Sequence, residues 1–340
     1  MTTAVTTVAT GRTGTAIAER AHEDAAEVAG VVQQPVAAPE YRFFAATVAR
    51  VERLSPSFLR LTLTGPELTG FGVGGADQRI KLVLSRDGAP VGDLLTDGPG
   101  WYQDYCALPD DRRPHLRTYT VRAARPALGE LDVDVALHGV DDGHPGPAAS
   151  WAAAAVPGDP IVVLGPDRPC PPQPGIGRAW GVEWAPPAEG TFFLAGDETA
   201  VPAISAILES LPGGRRTLAV LEVPDAGDVL SLDLAPGVEV RWLVRSGRAR
   251  GEAIGPAVHA ALCELGVAAP AAGQEPEDID LAGGILWEVP EAGADGCYAW
   301  LAGEAGMVKA LRRRLVRDLG VPRTSVAFMG YWRLGASEGS

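Results

Sequence analysis

Leu116-Arg117-Thr118-Tyr119-Thr120-Val121-Arg122 places two arginines, a tyrosine and two threonines within seven residues. Thr, Tyr and Val favour a β-strand, where side chains alternate between faces. Arg117 and Tyr119 therefore share a face and Thr120 points the other way. A guanidinium fork beside a flat π surface suits a ligand that carries both phosphate and a planar ring. The same composition also describes an ordinary strand with one Tyr–Arg packing pair.

Outward from this strand the texture is the same on both sides. Leu59, Leu61 and Leu63 alternate with Arg60, Thr62 and Thr64, and Ile80, Leu82 and Leu84 alternate with Lys81 and Val83. Leu131, Val133, Val135 and Leu137 form one face of a further strand, opposite Asp132, Asp134 and His138. Gly65-Pro66, Asp87-Gly88 and Pro157-Gly158-Asp159 punctuate the series. Short alternating strands separated by such turns predict an antiparallel barrel or sandwich from about Tyr41.

After a Pro- and Gly-rich crossing, Pro169 to Pro187 with Trp180 and Trp184 packed in it, the period changes. Thr191–Ala195 reads as a buried strand, and Val201, Ile204, Ile207, Leu208 and Leu211 fall on one helical face. Leu218–Val223, Val238–Val244 and Tyr298–Ala302 read as strands. The stretch Met307–Leu319 reads as a helix burying Met307, Leu311, Leu315 and Leu319, with Lys309, Arg313 and Arg317 solvated. Strands alternating with helices predict a parallel α/β layer. The loose acidic stretch Gly266 to Gly296 reads as a surface insertion anchored by Trp287. Residues 1–39 lack aromatics and read as a disordered or loosely attached tail, in which Ala16–Val32 is compatible with a short alanine-faced helix.

The chain has 340 residues, enough for two domains, and a formal net charge of −14, which argues against affinity for nucleic acid or anionic membrane. Cys106, Cys170, Cys263 and Cys297 form no CxxC, so the expectation is buried reduced thiols rather than an iron–sulfur or zinc site. No stretch approaches a membrane span and the N-terminus lacks a secretory pattern, which points to the cytoplasm. A monomer is the working expectation for oligomeric state.

The strand from Arg117 to Arg122 resembles the flavin-binding strand of ferredoxin-reductase-like flavoproteins, in the version carried by siderophore-interacting proteins. HPGPAASWA from His144, FLAGDETAVPAI from Phe193, YAWLAGEAGMVKALRRRL from Tyr298 and GYWRLG from Gly330 fit the same family in the same order. The resemblance runs from about Tyr41 to the C-terminus. It implies an FAD-binding β-barrel over residues 40–187, crossing included, and an α/β NAD(P)H domain over 188–340. It also implies an NAD(P)H-dependent ferric-siderophore reductase.

By that resemblance Arg117 meets the FAD pyrophosphate, Tyr119 packs on the isoalloxazine, and Thr120, with Val121 beside it, lies near the ring nitrogen that accepts hydride. His138 becomes a flavin contact, with Asp134 on its face; the alternative is a structural, hydrogen-bonding histidine, and metal ligation is rejected. Gly146, Ala148, Ala149, Ser150 and Trp151 lead into a helix whose first amides can meet phosphate. The family hydroxyl falls where this chain has Ala149. Either Ser150 substitutes or the amides act alone, and Ser150 as a helix cap is compatible with both.

Gly196, Asp197, Glu198 and Thr199 occupy a strand-to-helix turn at the flavin–nicotinamide junction, with a simple helix cap as the alternative for Asp197. Gly303 and Glu304 face the same cleft. Arg245, with Arg248 and Arg250 nearby, can meet the adenosine ribose or a 2′-phosphate, or form a solvated loop, so NADH and NADPH both remain open. Tyr331 and Trp332 bring a C-terminal aromatic near the flavin. An anionic ferric chelate approaching so acidic a protein needs a local positive patch, for which Lys81 and Arg333, then Arg79, are candidates; all three as solvated cations is the alternative. The chemistry requires no protein acid, base or nucleophile. Two rival functions stay open: a flavin reductase with another acceptor (free flavin or a protein partner), and a siderophore-binding module without turnover.

Overall fold

Alternating apolar residues form strands here because each strand has one face against a core. The computed structural model describes residues 41–86, 91–92, 95, 97–98, 100–139, 146–167, 181–267, 286–290 and 296–335. The expected tail and its helix, Asp87-Gly88, His144, Cys170, Trp180 and most of the 266–296 insertion lie outside these residues.

Six strands close into an antiparallel barrel: β1 Tyr41–Arg53, β2 Phe58–Thr64, β3 Arg79–Leu84, β4 His115–Arg125, β5 Glu130–Ala136 and β6 Pro160–Pro166, in the order β1-β2-β5-β4-β3-β6. Phe44, Leu61, Leu63, Leu82, Val133, Val135 and Val163 fill it, each fully buried. The outer-face acids of β5 are buried as well. Asp132 accepts from Arg125 at 2.7 Å and from Thr62 Oγ1 at 2.8 Å, which satisfies the charge that burial would otherwise penalise.

Two short helices sit on the barrel. The first, α1 Trp101–Ala107, was not foreseen from the periodicity. It is held by an edge-on contact of Trp101 with Phe43, and by Arg113, which donates to the Tyr105, Cys106 and Leu108 carbonyls at its C-terminal end. The second, α2 Pro147–Ala154, buries Ala148, Ala149 and Ala152.

The second layer is a sheet of β7 Thr191–Gly196, β8 Thr217–Val223, β9 Val238–Val244, β10 Trp287–Glu288, β11 Cys297–Glu304 and β12 Val326–Trp332, in the order β10-β12-β11-β7-β8-β9. All its pairings are parallel except β10 with β12. Its helices are α3 Val201–Ser210, α4 Ile254–Glu264 and α5 Ala305–Arg313. The expected helix Met307–Leu319 is thus shorter, and Arg314–Asp318 continues it as a wider π turn. That turn still buries Leu315, Val316 and Leu319. Trp184 packs edge-on against Phe192 and Tyr298, and Trp287 stacks on Tyr331, so both indoles act as anchors.

Barrel and sheet belong to one compact unit. Phe58 and Ala136 of the barrel share a buried cluster with Leu194, Leu208 and Trp300 of the sheet layer. Asp228, fully buried after β8, accepts from Ser55 Oγ at 2.7 Å and from Ser57 N and Oγ at 2.8 Å, clamping the β1–β2 turn. The cysteine expectation needs correction: Cys297 is buried, and burial pushes its thiol up to about 12, but Cys106 and Cys263 are exposed on the outer faces of α1 and α4.

Candidate functional site

The flavin-type strand is β4. Its register pairs Tyr119 with Ile80 and Arg117 with Leu82, and pairs Thr118 with Lys81 and Thr120 with Arg79. Residues directly opposite on paired strands share a face. Tyr119 accordingly packs against the barrel core, while Thr118 and buried Thr120 lie on the face of Lys81 and Arg79. Lys81 Nζ donates to Thr118 Oγ1 at 2.6 Å. Arg117 Nη1 donates to the neighbouring Leu116 carbonyl at 2.9 Å. After Val121 the β4–β5 register shifts, and Arg122 bridges Asp134, at 3.5 Å, to Glu209 of α3. Asp134 itself accepts from Nε and Nη2 of Arg60, at 2.7 and 2.8 Å. Its oxygens therefore serve the barrel wall.

At α2 the expected cap is absent. Ser150 is exposed inside the helix, its amide bonded to Gly146 O at 3.0 Å, and no side chain caps the N-terminus. Ala148 and Ala149 face inward, Trp151 packs on the barrel core, and a Cβ at Gly146 would meet nothing within 4 Å.

The second half of the site follows from topology. The chain runs from β7 outward to β8 on one side, and β11 flanks β7 on the other. The strand order reverses there, and in open α/β sheets the crevice outside such a point is where ligands bind. Gly196 ends β7 and Gly303 is the last residue but one of β11. A Cβ on Gly196 would lie 2.6 Å from Ala302 O, and one on Gly303, at φ +136°, would lie 2.8 Å from Asp197 Cγ. Only glycine allows both approaches.

Asp197, fully buried, organises this crevice. It accepts from Thr199 N at 2.9 Å, Thr199 Oγ1 at 2.6 Å, Glu304 N at 2.9 Å and Trp332 Nε1 at 3.2 Å. It is not the cap of α3, whose N-cap is Ala200 without a side-chain bond. Burial, reinforced by the charge of Glu198, pushes its pKa up to about 6 against the pull of Arg250. Burial also pushes Glu198 up, but Arg245, at 2.7 and 3.2 Å, and Arg250 outweigh it and hold Glu198 below the usual carboxylate range. Glu304 caps α5 through Met307 N at 2.8 Å.

The barrel reaches this crevice through His138. Its ring stacks on Trp332 with centroids 5.3 Å apart and planes at 25°, and the Arg250 guanidinium lies 4.6 Å from the Trp332 centroid. Burial lowers the His138 pKa, with Glu198 opposing and Arg250 adding to the shift.

His138, Asp197, Glu198, Thr199, Arg245, Gly303, Glu304 and Trp332 are thus brought together, through contacts that the sequence reading expected only by position. Tyr331 points elsewhere, stacked on Trp287. Arg79 joins it there, lying 4.2 Å from the Trp287 centroid and paired with Glu183 at 2.5 Å. Arg333 is exposed beyond Trp332. Arg250, weighed in the sequence for the ribose or 2′-phosphate or as a loop cation, instead pairs with Glu198 inside the constellation; Glu222, beside Arg245, carried no signal beyond being an acid near the end of an apolar strand. Two surface concavities of about 300 and 370 Å³ lie at the opposite, N-terminal edge of the sheet.

The donor set suits a flavin dinucleotide. Arg117 would supply a cation for the diphosphate, the Ala148 and Ala149 amides of α2 start a helix without a side-chain cap beside open space at Gly146, and Thr118 and Thr120 line the Lys81 face of β4.

The comparisons with known proteins agree. Residues 47–170 match the siderophore-interacting FAD-binding domain and residues 190–335 match the siderophore-interacting protein domain. The ferric vibriobactin reductase ViuB of Vibrio cholerae is 30% identical over 290 residues, 85% of this chain and 89% of that protein. The NADPH-dependent ferric-chelate reductase of Escherichia coli is 27% identical over 86% of this chain and 94% of that protein. The crystal structure of the siderophore-interacting protein SipS from Aeromonas hydrophila superposes with a TM-score of 0.57 at 31% identity, covering 88% of this chain and 94% of that one. With both halves of the fold and both domain matches in the same order, this chain belongs to the siderophore-interacting protein family and is an FAD-dependent oxidoreductase.

Proposed function

We propose that the protein is a cytoplasmic ferric-siderophore reductase, taking electrons from NADH or NADPH and delivering them by way of FAD to chelated Fe(III). The observation that carries this reading is the His138–Trp332 stack, which abuts the flavin-type barrel on the switch point of the parallel sheet. Relatives named as ferric reductases support the acceptor.

FAD, when bound, supplies the exchange between two-electron and one-electron chemistry. Arg117 and the first amides of α2 would hold its diphosphate, and Tyr119, Thr120 and Val121 would set the ring against β4. Asp197, through Thr199, Glu304 and Trp332, fixes the turn that positions the donor. Lys81 and Arg333 would attract an anionic chelate. Arg79 is engaged by Glu183 and contributes less. Iron released as Fe(II) is held less tightly by hard oxygen donors.

The test is anaerobic stopped flow on the NADH- or NADPH-reduced protein, comparing ferric chelates with a protein acceptor. Reoxidation should be faster with a ferric chelate. Faster reoxidation by a protein acceptor or free flavin would move the function to the rival reductase class.

A further inference from the structure

Three arginines after β9 would suit a 2′-phosphate, and hence NADPH, if they faced the ligand. Two of them face inward instead. Arg245 donates to Glu198 and lies 3.5 Å from Glu222, and Arg250 pairs with Glu198 and lies 3.6 Å from Asp197. Arg248 alone of the three is exposed. Three buried carboxylates, Asp197, Glu198 and Glu222, thus meet two guanidiniums, and the crevice keeps an excess of negative charge.

Glu222 is the part of this cluster with an unmet requirement. Positive φ at Ser246, +49°, and Gly247, +83°, reverses the chain after Arg245. The turn brings Gly251 N to Glu222 Oε1 at 3.0 Å. Glu222 Oε2 is buried and accepts no hydrogen bond among the described residues. A buried carboxylate oxygen without a donor is unfavourable and calls for one. The residue stands at the C-terminal end of β8, the second strand of the β7–α3–β8 unit, beside the crevice. In dinucleotide-binding α/β folds an acid at that place accepts from the ribose 2′-hydroxyl, whereas a 2′-phosphate is met by arginine.

We propose that Glu222 is a specificity-determining residue that selects a donor with an unphosphorylated 2′-hydroxyl, NADH over NADPH; this rests on the reading of the chain as a nicotinamide-linked reductase. The hydroxyl supplies the proton donor that Oε2 lacks. A phosphate there supplies none and meets like charge. The turn from Arg245 to Gly251 covers Glu222, so the ribose enters as that turn lifts.

The experiment is calorimetric titration of the FAD-loaded protein with the non-transferring tetrahydro forms of NADH and NADPH. The wild type should bind the NADH form at least ~10-fold more tightly, and Glu222→Gln should narrow that ratio by about 10-fold, because it removes the charge at constant shape. Arg248→Ala should leave the ratio unchanged. Equal affinities in the wild type, a Glu222→Gln variant that weakens both ligands in parallel, or loss of the NADPH form alone in Arg248→Ala would each overturn the assignment. Should Glu222→Gln not fold, the wild-type ratio and Arg248→Ala decide. Failure of either ligand to bind the wild type would instead bring down the nicotinamide-linked reading, and the selectivity with it.

Discussion

Trp332 donates its indole N–H to the fully buried Asp197 carboxylate at 3.2 Å while its ring lies against His138 of the barrel. One side chain thereby ties a buried charge to the contact between layers. Trp332→Phe leaves a smaller aromatic ring beside His138 and deletes the donor. It should cost about 1–3 kcal/mol of stability, the penalty for an under-satisfied buried acceptor. His138→Ala should cost less, about 0.5–1.5 kcal/mol for the lost stack. Denaturant unfolding of the two variants checks the order.

Arg117→Ala should weaken FAD binding by about 10- to 100-fold, since a charge-assisted bond to phosphate is worth roughly 1.5–3 kcal/mol. Flavin fluorescence titration of the apoprotein measures this. An unchanged affinity would remove β4 from the diphosphate site.

Lys81 shares the face of Thr118 and Thr120, and Arg333 follows Trp332 at the exposed edge of the site. Lys81→Ala with Arg333→Ala should raise the apparent KM for an anionic ferric siderophore and leave flavin reduction nearly unchanged. Added salt should shrink the difference by screening the attraction. Equal siderophore kinetics at low ionic strength would exclude both residues from docking.

Asp77 gives a pH signature. Its Oδ2 accepts from Glu183 N and Trp184 N at 3.0 and 2.9 Å, its Oδ1 is buried with no partner among the described residues, and burial pushes its pKa up to about 6. The folded state holds this proton more tightly than the unfolded chain does. The resulting stability is complete below about pH 4 and is lost as pH rises through about 6. At roughly 1.4 kcal/mol per pH unit the loss amounts to about 3 kcal/mol. Thermal melting at pH 5 and 7.5 should show a smaller drop in Asp77→Asn than in the wild type. An identical pH dependence would contradict the raised value.

The barrel and the parallel layer could be read from the chain because burial on one face imposes a period of two and burial against a helix imposes another. Leu59, Leu61, Leu63 and Leu131, Val133, Val135 are all buried, as the alternation requires. The site was legible in its turns, Gly196–Thr199 and Gly303-Glu304, because strand-to-helix junctions carry glycine and small polar residues. Its partners were not. Arg245 meets Glu198 across 47 residues and Trp332 meets Asp197 across 135, separations over which no local pattern acts. The helix α1 escaped for a related reason: it is held by one edge-on ring contact with Phe43 and by Arg113 on its last carbonyls, which leaves no apolar period in seven residues.

The clamp at Asp228 has a consequence for how the molecule can come apart. The β1–β2 turn supplies three hydrogen bonds to a carboxylate of the other layer, and Phe58, at the start of β2, is buried among that layer's side chains. Cutting the chain between its two domain matches would take three of the donors from Asp228, leaving it the Asp225 amide, and would leave a bare phenylalanine on the other fragment. The junction in sequence is therefore not a seam in energy: the halves are expected to melt as one cooperative block, and neither to survive as a soluble fragment.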